Sequence, residues 1–265
     1  MKLIVKTLPV ILCLCVFITS CKRESVTPPK EEVSAAVLQQ IAAQGFSTDG
    51  VTKVDNGYLV EGDIILTPEN LKGLPDTKNL VIANEEHYRT TNLVTGTPRT
   101  ITVSLSSGAP NYFVTATDAA IKRYNDQNLS LTFSRVSSGG KINIALFYQV
   151  SNTLGSSGFP SGGNPYPTVN MNTYWYSSST SQGFMTSVIA HEMGHCIGYR
   201  HTDYANRAYS CGGRHYNEGN AGIGAIYIAG TPTGGSPNSW MLACTDGSDR
   251  PFTSYDIIAL NGVYP

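Results

Sequence analysis

Residues 188–203 read VIAHEMGHCIGYRHTD and hold three of the five histidines in the chain. His191 and His195 are four residues apart, so on a helix they stand one above the other on one face. Two imidazoles stacked this way can both reach one zinc ion at roughly 2.0–2.1 Å. The run before them, QGFMTSVIA, sets Phe184, Val188 and Ile189 at helical spacing with no proline to break it. Gly198 then falls where the helix should stop, because glycine accepts the left-handed backbone that ends a helix. A turn there brings His201 back as a third nitrogen ligand. Three protein ligands with a fourth position open make a catalytic zinc, whereas a structural site is closed by four. Glu192 lies about 100° around the helix from His191, beside the metal without binding it. From there it can take a proton from the attacking water and pass it to the leaving amine. HExxH alone is a common helix face, but the glycine and third histidine at fixed offsets make coincidence far rarer.

HEMGHCIGYRH resembles the HExxHxxGxxH signature of metzincin zinc peptidases. With Thr202 and Asp203 it looks most like the bacterial dual-action HEIGH metallopeptidases, Met193 standing where that name has isoleucine. The resemblance implies an α+β fold, with a twisted mixed sheet, two long helices above it and an irregular C-terminal part ending in a helix. It also implies a methionine turn beneath the metal. SWM at residues 239–241 is the candidate, making Met241 the turn methionine. The tail FTSYDIIALNGVYP fits the last helix, with Ser254 as N-cap and Ile257, Ile258 and Leu260 as its apolar stripe. One departure matters. Astacin-like and serralysin-like members place a tyrosine two residues after that methionine, where this chain has Ala243, so no tyrosine is assigned to assist the reaction.

Upstream, RTITVSL (residues 99–105) alternates like a strand, and residues 111–128 read as a helix with Phe113, Ala116, Ala120 and Tyr124 on one face. LTFSRV and KINIALFY follow as strands around an SSGG turn. By resemblance to matrix metalloproteinases, TLGSSGFP is the edge strand on the rim of the cleft and TVNMNT the next strand. A substrate peptide would add to that edge through its free backbone groups. A glycine-rich loop is the plainer reading of the same stretch. The loops of residues 204–238 are expected to build part of the pocket wall.

The N-terminus, MKLIVKTLPVILCLCVFITSC, has Lys2 and Lys6 ahead of an apolar run too short to span a bilayer. ITSC at residues 18–21 resembles a bacterial lipobox, which implies removal of residues 1–20 and a lipid on Cys21. An ordinary secretory signal cut nearby is the alternative. Residues 21–32 are polar and proline-bearing, a tether to the cell envelope. Beyond Cys21 only Cys196, Cys211 and Cys244 remain, enough for one internal bridge. Cys211 and Cys244, in glycine-rich loops, are the expected pair, leaving Cys196 as a small buried helix residue.

A net charge of −1 with 14% charged residues offers no basic stripe, so no nucleic-acid partner is implied, and a monomer is expected. Residues 33–98 have their own pattern, with SAAVLQQIAAQGF helical and GYLVEGDIILT strand-like, ahead of a peptidase domain at residues 99–265. VEGDIIL resembles the FxGD motif of astacin propeptides, with Val60 replacing the phenylalanine. There the aspartate sits on the zinc, and Asp63 is the matching residue. Gly-Asp is also an ordinary turn dipeptide. If the switch operates, a cut between Asp63 and Thr100 frees the enzyme, Arg89 and Arg99 being candidate points. The reading is therefore a secreted, lipid-anchored zinc endopeptidase made as a latent precursor. Its rival is a catalytically silent envelope-binding lipoprotein with the same fold, which would have no reason to keep Glu192. A glycan-active lipoprotein lacks any paired-carboxylate signature.

Overall fold

The computed structural model describes residues 32–72, 87–215, 217–218, 223–232 and 236–265. The expected signal peptide, Cys21 and nearly all of the expected tether lie outside the described residues. Helix α1 (Ala35–Ala43) starts at Ser34, whose hydroxyl accepts from Val37 N. Strands β1 (Thr52–Val54), β2 (Gly57–Val60) and β3 (Ile64–Leu66) form an antiparallel meander, and a short helix α2 (Pro68–Lys72) follows. GYLVEGDIILT is thus two paired strands and not one extended strand. Glu61 (φ 56°) and Gly62 (φ 93°) take the left-handed backbone that turns the chain. Ile41, Phe46, Val60, Ile64, Leu66 and Leu71 make a small core that closes on Phe159 and Ile223. The N-terminal segment is therefore seated by apolar burial as well as by hydrogen bonds.

Strand β4 (Tyr88–Arg89) precedes the main sheet, which contains β5 (Arg99–Leu105), β6 (Leu131–Arg135), β7 (Ile142–Phe147), β8 (Gly155–Ser156) and β9 (Thr168–Asn172). The order is β6-β5-β7-β9-β8, parallel except for β8, which runs antiparallel on β9 at the edge. Between β5 and β6 runs α3 (Asn111–Asn125), burying Phe113, Ala116, Ala120 and Tyr124 as its helical spacing requires. Helix α4 (Gln182–Cys196) packs against α3 and against β8 and β9. Twelve consecutive residues of α4, Met185 to Cys196, are buried. None of the described helices is long and apolar enough to cross a membrane.

Beyond α4 the chain is irregular, with α5 (Ala208–Cys211), β10 (Ile226–Tyr227) and α6 (Ser254–Val263). Cys211 is joined to Cys244, and Cys196 is buried and unpaired. The N-cap of α6 is Thr253 and not Ser254. Thr253 and Asp256 cap each other's backbone N–H groups, a reciprocal box that Ser254 is one residue too late to make.

The expected boundary at residues 98/99 does not coincide with any break in packing, since residues 31–265 form one unit. β4 pairs with β10, Arg200 N donates to Tyr88 O at 2.9 Å, and Thr90 N donates to Gly198 O at 2.8 Å. The chain from His87 onward is thus built into the larger part. Arg89 sits inside β4, and Arg99 opens β5, which is hydrogen-bonded on both sides. Neither is a natural cleavage point, because a protease needs an extended chain free of partners.

Candidate metal centre and its cleft

The histidine pair stands where the helical period puts it, with ring centroids of His191 and His195 4.7 Å apart. What brings the third ring in is the way α4 ends. Gly198 (φ 107°) follows the C-cap Ile197; Gly198 N donates to His195 O and Tyr199 N to Gly194 O, both at 2.9 Å. This pair of bonds satisfies the last carbonyls of α4 and reverses the chain. His201 then lies 5.2 Å from His191 and 4.8 Å from His195, centroid to centroid.

Each ring is held by its other nitrogen. His191 Nδ1 donates to Trp240 O at 2.8 Å, His195 Nδ1 to Tyr199 O at 2.8 Å, and His201 Nδ1 to the Glu218 carboxylate at 2.6 Å. With the Nδ1 protons so engaged, all three Nε2 lone pairs are left to bind a cation. One ligand atom from each histidine and from Asp63 lie within 4.8 Å of one another. Asp63 Oδ2 is 3.2 Å from His201 Nε2, while its Oδ1 is buried and meets no hydrogen-bond partner among the described residues. A set of three imidazoles and one carboxylate with an orphaned oxygen fits zinc.

Electrostatics divide the three rings. Burial and the neighbouring imidazoles hold His191 down at about 4, and His195 is likewise pushed well down, so both rings stay neutral. Burial also opposes charge on His201, but the Glu218 and Asp63 carboxylates outweigh it and raise it to about 10.

Glu192 is buried beside this cluster, and Ser157 Oγ donates to its Oε2 at 2.7 Å. Burial, and then the negative charge of Asp63, push its carboxyl well above the ordinary range, the direction a proton acceptor needs. Below the cluster, Met241 Sδ lies 2.6 Å from the point where a Cβ on Gly194 would sit, so a larger residue in place of this glycine would push the methionine side chain aside. Ser239 Oγ donates to Asp256 Oδ1 at 2.7 Å, and His87 Nε2 is 2.6 Å from that same oxygen, fastening the SWM turn to α6. Asp203 Oδ1 accepts from Ala243 N at 2.9 Å, which anchors the other side of the turn.

A cavity of about 360 Å³ opens beside His191 and Glu192. The 204–238 region contributes to its wall through Arg207. Among the described residues of that region Arg207 alone lines it; Asn152–Gly155 and the helix residues Ser187 and Val188 add to the lining, and Trp240, Leu242–Thr245 and Arg250 form one side. The bond from Ala243 to Asp203 and the Cys211–Cys244 link draw this stretch under α4. On the facing side stands the N-terminal hairpin. Ser157 N donates to Asp63 O at 2.9 Å and Ile65 N to Ser157 O at 2.7 Å, so β3 extends the sheet beyond β8. Arg207 donates to Glu61 O at 3.1 Å and to Glu218 Oε1 at 2.7 Å.

Sequence reasoning missed Glu218, Arg207 and Ser157. Glu218 is fully buried, held by His201, Arg207 and Arg200, and nothing in its loop marked it. A carboxylate behind a ligating imidazole fixes the tautomer and orientation of the ring. Glu218→Gln should therefore release zinc to a chelator about tenfold faster or more, the scale set by such partners. An unchanged release rate, measured with a chromogenic chelator, would show that Glu218 serves only the two arginines.

The profile of a family described as dual-action HEIGH metallo-peptidases matches residues 58–264. No curated protein matches the chain. Among solved structures, myroilysin is similar at 19% identity, covering 67% of this chain and 98% of its own, with a TM-score of 0.46. High choriolytic enzyme 1, a hatching-enzyme zinc protease from the medaka fish Oryzias latipes, is similar at 14% identity. It covers 62% of this chain and 88% of its own, with a TM-score of 0.37.

Proposed function

The chain belongs to the dual-action HEIGH metallo-peptidases, zinc-dependent hydrolases of peptide bonds, and from that membership we propose an envelope endopeptidase made as a latent precursor. The observation that carries the catalytic part is the cluster of His191, His195 and His201 with Glu192 buried beside it. The three Nε2 atoms would hold the metal. Zinc bound there polarises the scissile carbonyl and lowers the pKa of the attacking water. Glu192 takes the proton from that water and returns it to the leaving amine, while Ser157 holds one carboxylate oxygen and leaves the other for the exchange. A substrate chain adds to the edge of β8 through main-chain hydrogen bonds, which favours cleavage within a chain.

Latency rests on the hairpin. β3 occupies the edge that a substrate needs, and Asp63 presents its carboxylate to the three histidines. Activation then requires a cut that falls before His87, because everything from His87 onward is built into the larger part. Anchoring rests on the lipobox-like ITSC alone, with Cys21 carrying the lipid.

The full chain should bind about one zinc and hydrolyse casein weakly, and limited proteolysis should raise that activity. A zinc-loaded, nicked protein that cleaves no peptide bond would overturn the endopeptidase reading.

A further inference from the structure

From residue 142 to residue 190 the chain contains no Asp, Glu, Lys, Arg or His. This run supplies β7, β8, β9 and much of α4, most of which is buried. Its exposed apolar side chains gather at one place. Tyr148 is 70% exposed, Val150 71%, Tyr174 44% and Trp175 41%. The rings of Tyr148 and Tyr174 meet edge-on at 6.0 Å, and those of Tyr174 and Trp175 at 5.1 Å.

The loop that displays them is fixed from beneath. Asn172 is fully buried at the end of β9. Its Nδ2 donates to Gln149 O at 2.8 Å and to Thr153 O at 2.9 Å, and its Oδ1 accepts from Gln149 N at 2.9 Å. Trp175 Nε1 donates to Ser151 O at 2.8 Å, tying the ring to the same loop. A loop held by four bonds from two side chains presents its aromatics at little further cost in conformational entropy. The next residues, Asn152 to Gly155, line the cavity beside His191 and Glu192 and lead into the edge strand. The aromatic surface is thus continuous with the cleft.

We infer that this surface is an exosite that binds an uncharged, apolar stretch of the substrate polypeptide lying to one side of the bond being cut. The inference rests on the peptidase reading above. A chain laid along β8 towards Asn152 runs next over Tyr148 and Trp175. Tyrosine and tryptophan displayed from an uncharged run are the composition of a binding surface core. A charged substrate segment would lose hydration there and find no ionic partner in the run.

The test uses the full chain activated by limited proteolysis. Peptides share one cleavable core and carry either an apolar, uncharged extension or a Glu/Lys-rich one, at one end or the other. The apolar extension at one end should lower KM about tenfold, the scale of one buried aromatic contact, with kcat unchanged. Tyr148→Ser and Trp175→Ser should each remove that gain and leave the unextended core peptide unaffected. Tyr148 is the more exposed, so its variant guards against a folding defect in the other. Equal KM for all extensions, or a gain that survives both substitutions, would overturn the exosite. Loss of vesicle binding in the variants without any extension effect would assign the surface to a membrane and overturn it too. Failure to cleave even the core peptide would sink the peptidase reading, and this inference with it.

Discussion

Replacing Glu192 by alanine should lower kcat by at least about 100-fold, the contribution of a positioned base, while the protein keeps its zinc. The argument is geometric. The carboxylate lies beside the three histidines without being one of the clustered ligand atoms, and Ser157 fixes its orientation. Removing it leaves the ligand set whole, so metal analysis and activity should part company. Glu192→Gln keeps the shape and the Ser157 contact while losing the base, and should be as slow as the alanine variant. His191→Ala is the contrasting case, since it should lose metal and activity together. Activity in Glu192→Gln within a factor of about three of the parent, well inside what a base supplies, would refute the assigned role.

The second large effect is on the uncleaved precursor. Asp63→Ala should raise its peptidase activity roughly 10–100-fold, because a charged contact of about 1.5–3 kcal/mol no longer holds the hairpin over the histidines. The activity should still fall short of the cleaved form. The backbone bonds between Ser157 and the Asp63–Ile65 stretch, the Arg207 bond to Glu61 O and the small apolar core all survive the substitution. Cleavage before His87 should bring variant and parent to one level, since the difference leaves with the hairpin. Equal activity of the two uncleaved proteins would reduce Asp63 to a turn residue and the hairpin to a steric plug.

Much of the metal site was legible because its signals are local. The four-residue spacing of His191 and His195, the glycine that reverses the chain at Gly198 and the apolar face of α3 all act within one or two turns of backbone. Periodicity is enough to read such features. The same holds for β5, β6 and β7, whereas β9 was legible only through the resemblance to matrix metalloproteinases. Two local details differ by one step. Ser254 reads as the cap that Thr253 makes with Asp256, and GYLVEGDIILT reads as strand-like where Glu61 and Gly62 turn it back into two strands. In both, neighbouring residues of similar propensity competed, and only contacts made several residues away decided between them.

What tertiary structure alone decided involves partners far apart in the chain. Glu218 reaches His201 across 17 residues, and Asp256 reaches His87 across 169. Neither pairing has a period or a motif, because loops are placed by what they pack on and not by their own repeat. The seating of β4 beside β10 belongs here as well, and so does the docking of β3 on β8. Strands of two or three residues carry too few side chains to declare a partner, and their register comes from the surfaces around them. The amino-acid sequence by itself determined which atoms could hold a metal and which carboxylate would stand beside them. The packed molecule decided what stands behind each ligand and what lies across the cleft, because those contacts exist only once distant segments are buried together.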